Sequence, residues 1–328
     1  MTLRRARILG LGAYVPEKIL TNFDLEKMVE TSDDWIRTRT GIVTRRIAEK
    51  GQTASDLAVP ACREALKNAG ITAQELDLII VATITPDSFF PSTACGIQFK
   101  LGASKCAAFD MAAACAGFPY ALSTANAFIT SGMYKNVLVV GSEVLSGFID
   151  WTDRGTCVLF GDGAGAAVVS ASDNDHGIIH SIMGADGSMG DLLKIPGGGS
   201  AFPPSEETLK NKLHYLQMQG AEVFKVAVRT MDTAVRDLVQ QAGLKLSDIK
   251  ILIPHQANMR ILQAVAERLE MPLEQVFINV DKYGNMSSAS TVVALYEAFK
   301  TGRIQKNDYV VLVAFGGGLT WASTLIKW

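Results

Sequence analysis

Apolar positions along the chain alternate between short unbroken runs and longer stretches of helical spacing. Residues 76–84 are almost continuously apolar and rich in β-branched side chains, which marks a strand buried on both faces. Residues 6–15, 107–111 and 137–140 also read as strands. Residues 53–69 place their apolar side chains at helical spacing and stop at Gly70, so they predict an amphipathic helix. Two short helices are expected at 22–29 and 32–37, the second capped by Ser32-Asp33-Asp34 and closed by Thr40-Gly41. A loop at 85–92 leads into a helix at 93–101, and a further helix follows at 116–129, broken at Ser131-Gly132. Residues 155–170 contain the run Gly161-Asp162-Gly163-Ala164-Gly165-Ala166-Ala167, followed by a strand.

The second half repeats this order. Asn68-Ala69-Gly70 before the 76–84 run is echoed by Gln241-Ala242-Gly243 before Ile249-Lys250-Ile251-Leu252-Ile253, with Gly243 lying 173 positions after Gly70. The stretch from Ala121-Leu122 through Gly132 to Val137 is echoed from Ala294-Leu295 through Gly302 to Val310, with the glycines 170 positions apart. Two matched segments at nearly one offset predict two related α/β halves with buried, largely parallel sheets. The halves are expected at 1–175 and 176–328, with the glycine-rich region 184–204 as the connecting segment.

Composition narrows the class. The 328 residues are 48% hydrophobic and 20% charged, which suits a core-rich soluble enzyme. A net charge of −2 offers no bulk attraction for nucleic acid. Five scattered cysteines without a C-x-x-C pair fit reduced thiols in the cytoplasm, and the four histidines show no metal-ligand spacing. Arg4, Arg5 and Arg7 precede an apolar run, but that run ends at Pro16-Glu17 without a cleavage pattern, so a first strand is the better reading. No run approaches the ~18 apolar residues of a membrane helix.

The chemistry centres on Phe109-Asp110-Met111-Ala112-Ala113-Ala114-Cys115-Ala116-Gly117-Phe118. A strand-turn-helix there puts Cys115 at a helix start, where unpaired N–H groups and the dipole should lower a thiol pKa. The plain alternative is a buried thiol that only packs. Three second-half stretches end strands with polar or glycine residues. His255 follows the strand before Pro254; residues 276–280 lead to Tyr283-Gly284-Asn285; Val310–Ala314 runs into Gly316-Gly317-Gly318. By the repeat, Asn285 occupies the counterpart of the Cys115 turn. Singly, His255 could be a core histidine, Asn285 a turn residue, and the glycine runs tight packing sites. Ligands of such folds favour strand carboxyl ends near the interface of the halves, so a Cys, a His and an Asn would converge there as a nucleophilic site.

With these motifs in view, the chain resembles the β-ketoacyl-acyl-carrier-protein synthase III family of the thiolase-like superfamily. Similarity runs nearly end to end, through residues 31–41, 112–118, 152–156, 161–168, 254–258, Gly284-Asn285 and 315–319. The resemblance implies a five-layered αβαβα fold, a homodimer, and no cofactor, acyl-CoA being a substrate. It implies condensation of a short acyl-CoA primer, acetyl-CoA foremost, with malonyl-acyl-carrier protein to start dissociated fatty-acid synthesis. Carried over, Cys115 is the acylated nucleophile, His255 and Asn285 complete the catalytic set, and the N–H groups of Cys115 and Gly317 form the oxyanion hole. Trp35 and Arg154 resemble the pair that sandwiches the coenzyme A adenine. Arg39 falls near its phosphates, Asn258 on its pantetheine arm, and Phe90 where an aromatic reaches the partner's acyl pocket. The family often has Thr after Gly-Asn and Ala-Ala next; here Met286 and Ser288-Ala289 stand instead, which alters the packing behind Asn285.

Lys225, Arg229 and Arg236 share near-helical spacing, and Arg260 follows the His255 motif. Carrier proteins are acidic, so Lys225 and Arg260, which match basic residues of the family, are expected to dock one; for Arg236 a solvated helix face is as good a reading. The rivals are a Cys-His-Asn thioesterase or amidase, a related condensing enzyme of secondary metabolism, and a non-enzymatic binding protein.

Overall fold

The computed structural model describes residues 5–172 and 175–328. Local chemistry fixes the helix ends. Ala54–Ala69 begins at a reciprocal capping box between Thr53 and Asp56 and ends at Gly70, whose left-handed φ of +69° admits no Cβ without strain. Asp33–Thr40 is capped by Ser32, whose hydroxyl accepts from the Trp35 N–H, and Gly41 closes it. The helix expected at 22–29 is confined to Asn22–Leu25. The Glu26 carboxylate turns away to accept from the Asp33 N–H at 2.7 Å, which bends the chain into the next helix.

The first sheet has the spatial order Arg5–Tyr14, Gly163–Ser172, Asn136–Glu143, Leu78–Ala82, Ala107–Met111. Leu78–Ala82 pairs in parallel with both neighbours, but Gly163–Ser172 is antiparallel to both of its own. The expected largely parallel sheet is therefore mixed. Only short helical turns lie between Glu143 and Gly163, so no crossover helix returns the chain to the same end. The second sheet runs Ile249–Pro254, Tyr309–Gly316, Thr320–Lys327, Gly177–Ala185. Its first junction is parallel and the others antiparallel, because a three-residue turn after Gly316 makes a hairpin. Val276 adds a lone parallel bridge outside Leu252, so both halves share one strand order.

Two helices, Gly117–Thr130 and Ser288–Lys300, lie between the sheets in one apolar core with side chains from both, among them Ile80, Phe118, Ile253, Leu295 and Leu312. Ala54–Ala69 and Thr93–Leu101 cover the outer face of the first sheet; Gly220–Gln241 and Met259–Arg268 cover that of the second. The result is a five-layered αβαβα sandwich. Gly141 permits the central contact, since a Cβ there would stand 2.7 Å from the Ser288 carbonyl oxygen. The Gly161–Gly165 run is part packing site and part strand: Gly165 lies against Val292.

The chain passes from one sheet to the other between Ser172 and Gly177, not through 184–204. That segment starts inside the Gly177–Ala185 strand and then crosses the face where the central helices begin, placing Leu193 and Ile195 in a cavity with Cys115. No helix among the described residues is long and apolar enough to cross a membrane.

Candidate active site

Cys115 sits in a short helical turn, Ala114–Ala116, directly before the central helix Gly117–Thr130. Ala114, one step earlier, holds φ at +46°. Ser287 holds the same φ one step before the Ser288–Lys300 helix, and it lies 173 positions after Ala114, the offset of the two turn glycines. The repeat therefore pairs Cys115 with Ser288. The expected pairing of Cys115 with Asn285 is wrong by three residues. Asn285 comes in from the approach to the helix, threaded beside the 159–161 segment: its N–H donates to the Leu159 carbonyl at 2.9 Å, and its carbonyl accepts from the Gly161 N–H at 3.0 Å. Its Oδ1 accepts from the Ser287 N–H at 2.8 Å, which leaves Nδ2 as the side chain's donor.

His255 stands one residue past the Ile249–Pro254 strand, fixed by its N–H donating to Val313 at 2.7 Å. Burial pushes its pKa down to about 3, so the ring is neutral at physiological pH. Gln256, which sequence reasoning passed over, joins the His255 and Asn285 loops. Its Nε2 donates to Pro254 and Phe277, and its Oε1 accepts from Asn279 and Val280. Every hydrogen-bonding site of that buried amide is used, so it holds the two loops at one spacing.

The glycine turn closes the site from the second sheet. A Cβ at Gly316 would lie 2.5 Å from the Cys115 nitrogen, so only glycine allows that approach. The Thr320 hydroxyl donates to Ala113 at 2.8 Å and ties the hairpin to the nucleophile turn.

Two cavities meet at Cys115. The larger, about 550 Å³, is lined by Cys115, His255 and Asn285 and opens past Asn258, Arg39, Lys225 and Arg260. The smaller, about 280 Å³, is lined by Cys115 and Gly317 together with Leu145, Phe160 and Leu216. The thiol itself is 5% exposed, and its pKa is not lowered as its helix-start position predicts. Burial pushes it up to about 12, and the Ser287 hydroxyl works in the other direction. Desolvation outweighs the helix terminus because the turn is enclosed by both central helices and the glycine hairpin.

The remaining expected residues divide. Asn258 lines the larger cavity and also caps Met259–Arg268, accepting from the Ile261 N–H. Trp35 and Arg154 lie outside both cavities with the guanidinium 4.7 Å from the ring centre, and Arg39 lies 6.0 Å from the same ring. Lys225 pairs with Glu222, and the Arg260 guanidinium rests on Phe224. Arg236 pairs with Asp232, and its guanidinium also donates to the Arg268 carbonyl. Phe90 is 86% exposed and lines neither cavity. Met286 is buried with Ala289 and Val293, close over Gly163, while Ser288 bonds to Glu143 and Ala82.

The chain also matches known proteins. Residues 109–187 match the family described as 3-oxoacyl-[acyl-carrier-protein (ACP)] synthase III, and residues 239–328 match its C-terminal family. A β-ketoacyl-[acyl-carrier-protein] synthase III of Caldanaerobacter subterraneus is 56% identical over 98% of both chains. That of Desulfitobacterium hafniense is 52% identical over 98% of this chain and 97% of its own. The crystal structure of 3-oxoacyl-[acyl-carrier-protein] synthase III from Aquifex aeolicus superposes with a TM-score of 0.92 at 49% identity, covering 98% of this chain and all of that one. The chain therefore belongs to the β-ketoacyl-acyl-carrier-protein synthase III family, the condensing acyltransferases that initiate fatty-acid synthesis.

Proposed function

We propose that the protein transfers a short acyl group, acetyl in the first instance, from coenzyme A to Cys115 and then condenses it with malonyl-acyl-carrier protein. The observation that carries this reading is the position of Cys115 where the two cavities meet, with His255 and Asn285 in the larger one. The larger cavity takes the pantetheine arm past Asn258 and Arg39. The smaller, apolar cavity receives the acyl chain.

The thiol gives its proton to neutral His255 as sulfur attacks the thioester carbon. The N–H groups of Cys115 and Gly317 hold the tetrahedral oxyanion. That intermediate collapses, and coenzyme A leaves as the thiol with the proton from His255. Malonyl-carrier protein then loses carbon dioxide, and the enolate oxygen takes hydrogen bonds from the His255 ring N–H and the Asn285 amide. Both donors are neutral. The carbanion attacks the acyl-Cys115 carbonyl, and the thiolate departs to leave a 3-ketoacyl-carrier protein. No cofactor enters any step.

Trp35 and Arg154 would part to take the adenine between them. Lys225 and Arg260, at the mouth of the larger cavity, would meet the acidic carrier protein. A homodimer is supported by the exposed Phe89, Phe90 and Phe99 and by the edge strand Ala107–Met111, and Phe90 would then enter the partner's acyl cavity. A division at 175/176 is supported by the first sheet's last strand ending at Ser172 and the second sheet's first strand beginning at Gly177, and the free cysteines suit a cytoplasmic setting.

The test is to incubate the protein with labelled acetyl-CoA, locate the label, and chase with malonyl-carrier protein or water. Label on Cys115 that moves to a ketoacyl product supports the reading. Label acquired by a Cys115→Ala variant, or released only to water, overturns it. The ratio of kcat/KM for acetyl-, isobutyryl- and longer acyl-CoA decides the primer. At about 280 Å³ the smaller cavity has room for more than an acetyl group.

A further inference from the structure

A buried carboxyl lies behind the nucleophile turn. Glu143 ends the Asn136–Glu143 strand and is fully buried, and among the described residues no cation stands among the groups that act on it. Its Oε2 accepts from the Ile84 N–H at 3.1 Å, the Thr85 hydroxyl at 2.7 Å and the Thr83 hydroxyl at 3.3 Å. Its Oε1 is 2.8 Å from Ser288 Oγ, with the Ser288 N–H at 3.4 Å. Ser288 Oγ is in turn 2.8 Å from the Ala82 carbonyl oxygen.

Counting protons decides the state of the acid. A serine hydroxyl carries one proton, and a carbonyl oxygen only accepts. Were Glu143 a carboxylate, Ser288 could donate to Glu143 or to Ala82, and the other 2.8 Å contact would set two oxygens together with no proton between them. With a proton on Oε1, the acid donates to Ser288, Ser288 donates to Ala82, and each contact holds one proton.

We propose that Glu143 is held as a neutral carboxylic acid whose Oε1–H donates to Ser288, and that it acts as a positioning residue for the reaction. It pins the start of the Ser288–Lys300 helix, with Asn285 and Ser287 on its approach, to the ends of the Leu78–Ala82 and Asn136–Glu143 strands behind Cys115. Full burial pushes the carboxyl pKa upward, the same direction as the proton count. The groups facing Glu143 are the hydroxyls of Thr83, Thr85, Ser287 and Ser288 and the Cys115 thiol, of which only the thiol titrates. When that thiol ionises, it has no fixed anion behind it. This consequence rests on Cys115 being the acyl acceptor; the proton count does not.

The pH dependence of Cys115 alkylation tests the proposal in the full-length protein, compared with Glu143→Gln. A glutamine amide can replace the acid's donor and acceptor atoms without changing charge, so the two profiles should coincide within about half a pH unit. Loss of an anion beside the thiol would move its apparent pKa down by about 1–3 units. A shift larger than half a unit in either direction overturns the proposal. A second measurement needs no variant: infrared spectra of wild-type protein with ¹³C-labelled glutamate, at mildly alkaline pH where exposed glutamates are ionised. A surviving protonated-carboxyl band supports the neutral acid, and its absence overturns it. That band does not depend on acyl transfer, so failure of the labelling experiment above would be distinguishable from failure here.

Discussion

Ala114, one step before Cys115, and Ser287, one step before Ser288, hold the same left-handed φ of +46° at the entrances to the two central helices. Neither is glycine, so each turn is held against a local cost of order 1–3 kcal/mol by what packs around it. Ala114→Gly should leave stability unchanged or raise it slightly, while Ala114→Val should lower it by about 1–3 kcal/mol because a β-branched side chain is worst there. Denaturant unfolding of both variants is the check. A glycine variant as unstable as the valine one would show that φ is not the constraint.

Because burial holds the Cys115 thiol at about 12, its alkylation should keep accelerating with pH through 9 and above, where an ordinary thiol levels off. Measuring iodoacetamide rates across pH checks this, and a plateau below pH 8 would contradict the burial argument. His255→Ala should slow acylation by about 10²–10⁴-fold, the usual worth of a general base, while alkylation at high pH is affected much less.

His255 also links stability to pH. Its folded pKa of about 3 lies below the unfolded value near 6.5, so below pH 6.5 the unfolded chain binds a proton that the native protein refuses. The native state therefore loses about 1.4 kcal/mol per pH unit on this account as pH falls from 6.5 toward 3. His255→Asn should flatten that slope relative to wild type, and urea unfolding at pH 7, 6 and 5 would read the difference. Parallel slopes in the two proteins would count against a buried neutral histidine.

Trp35 and Arg154 are stacked too closely to admit a third ring between them. If they part for the adenine, Trp35→Ala should raise KM for acyl-CoA about tenfold, from loss of roughly 1–2 kcal/mol of stacking, with kcat little changed. An equal fall in kcat would place Trp35 in the chemistry instead. Steady-state kinetics with acyl-CoA varied separates the two outcomes.

The basic residues predict a contrast. Lys225→Glu with Arg260→Glu should raise KM for malonyl-carrier protein while sparing acyl loading from coenzyme A. Arg236→Ala should lower stability by no more than about 1 kcal/mol, because Asp232 keeps Arg268 as its partner, leaving that KM unchanged. Equal losses of loading and condensation in the double variant would remove the docking role.

Much of this was legible in the chain because it depends on short-range signals. Thr53 and Gly70 bracket their helix by capping chemistry alone, and the equal spacing of Gly70 and Gly243 announced a duplicated fold. Cys115, His255, Asn285 and the Gly316–Gly318 turn could be nominated because strand ends of such a fold converge. Glu143 also left a trace, as the ionisable residue closing an otherwise uncharged buried strand. Tertiary structure decided what depends on neighbours distant in sequence. It set the register that pairs Cys115 with Ser288, the antiparallel return of Gly163–Ser172, and the clamp of Gln256 across two loops. Above all it set the thiol's proton affinity. The sequence could place Cys115 at a helix start, but desolvation is summed over everything that encloses the sulfur, and only the packed halves determine that enclosure.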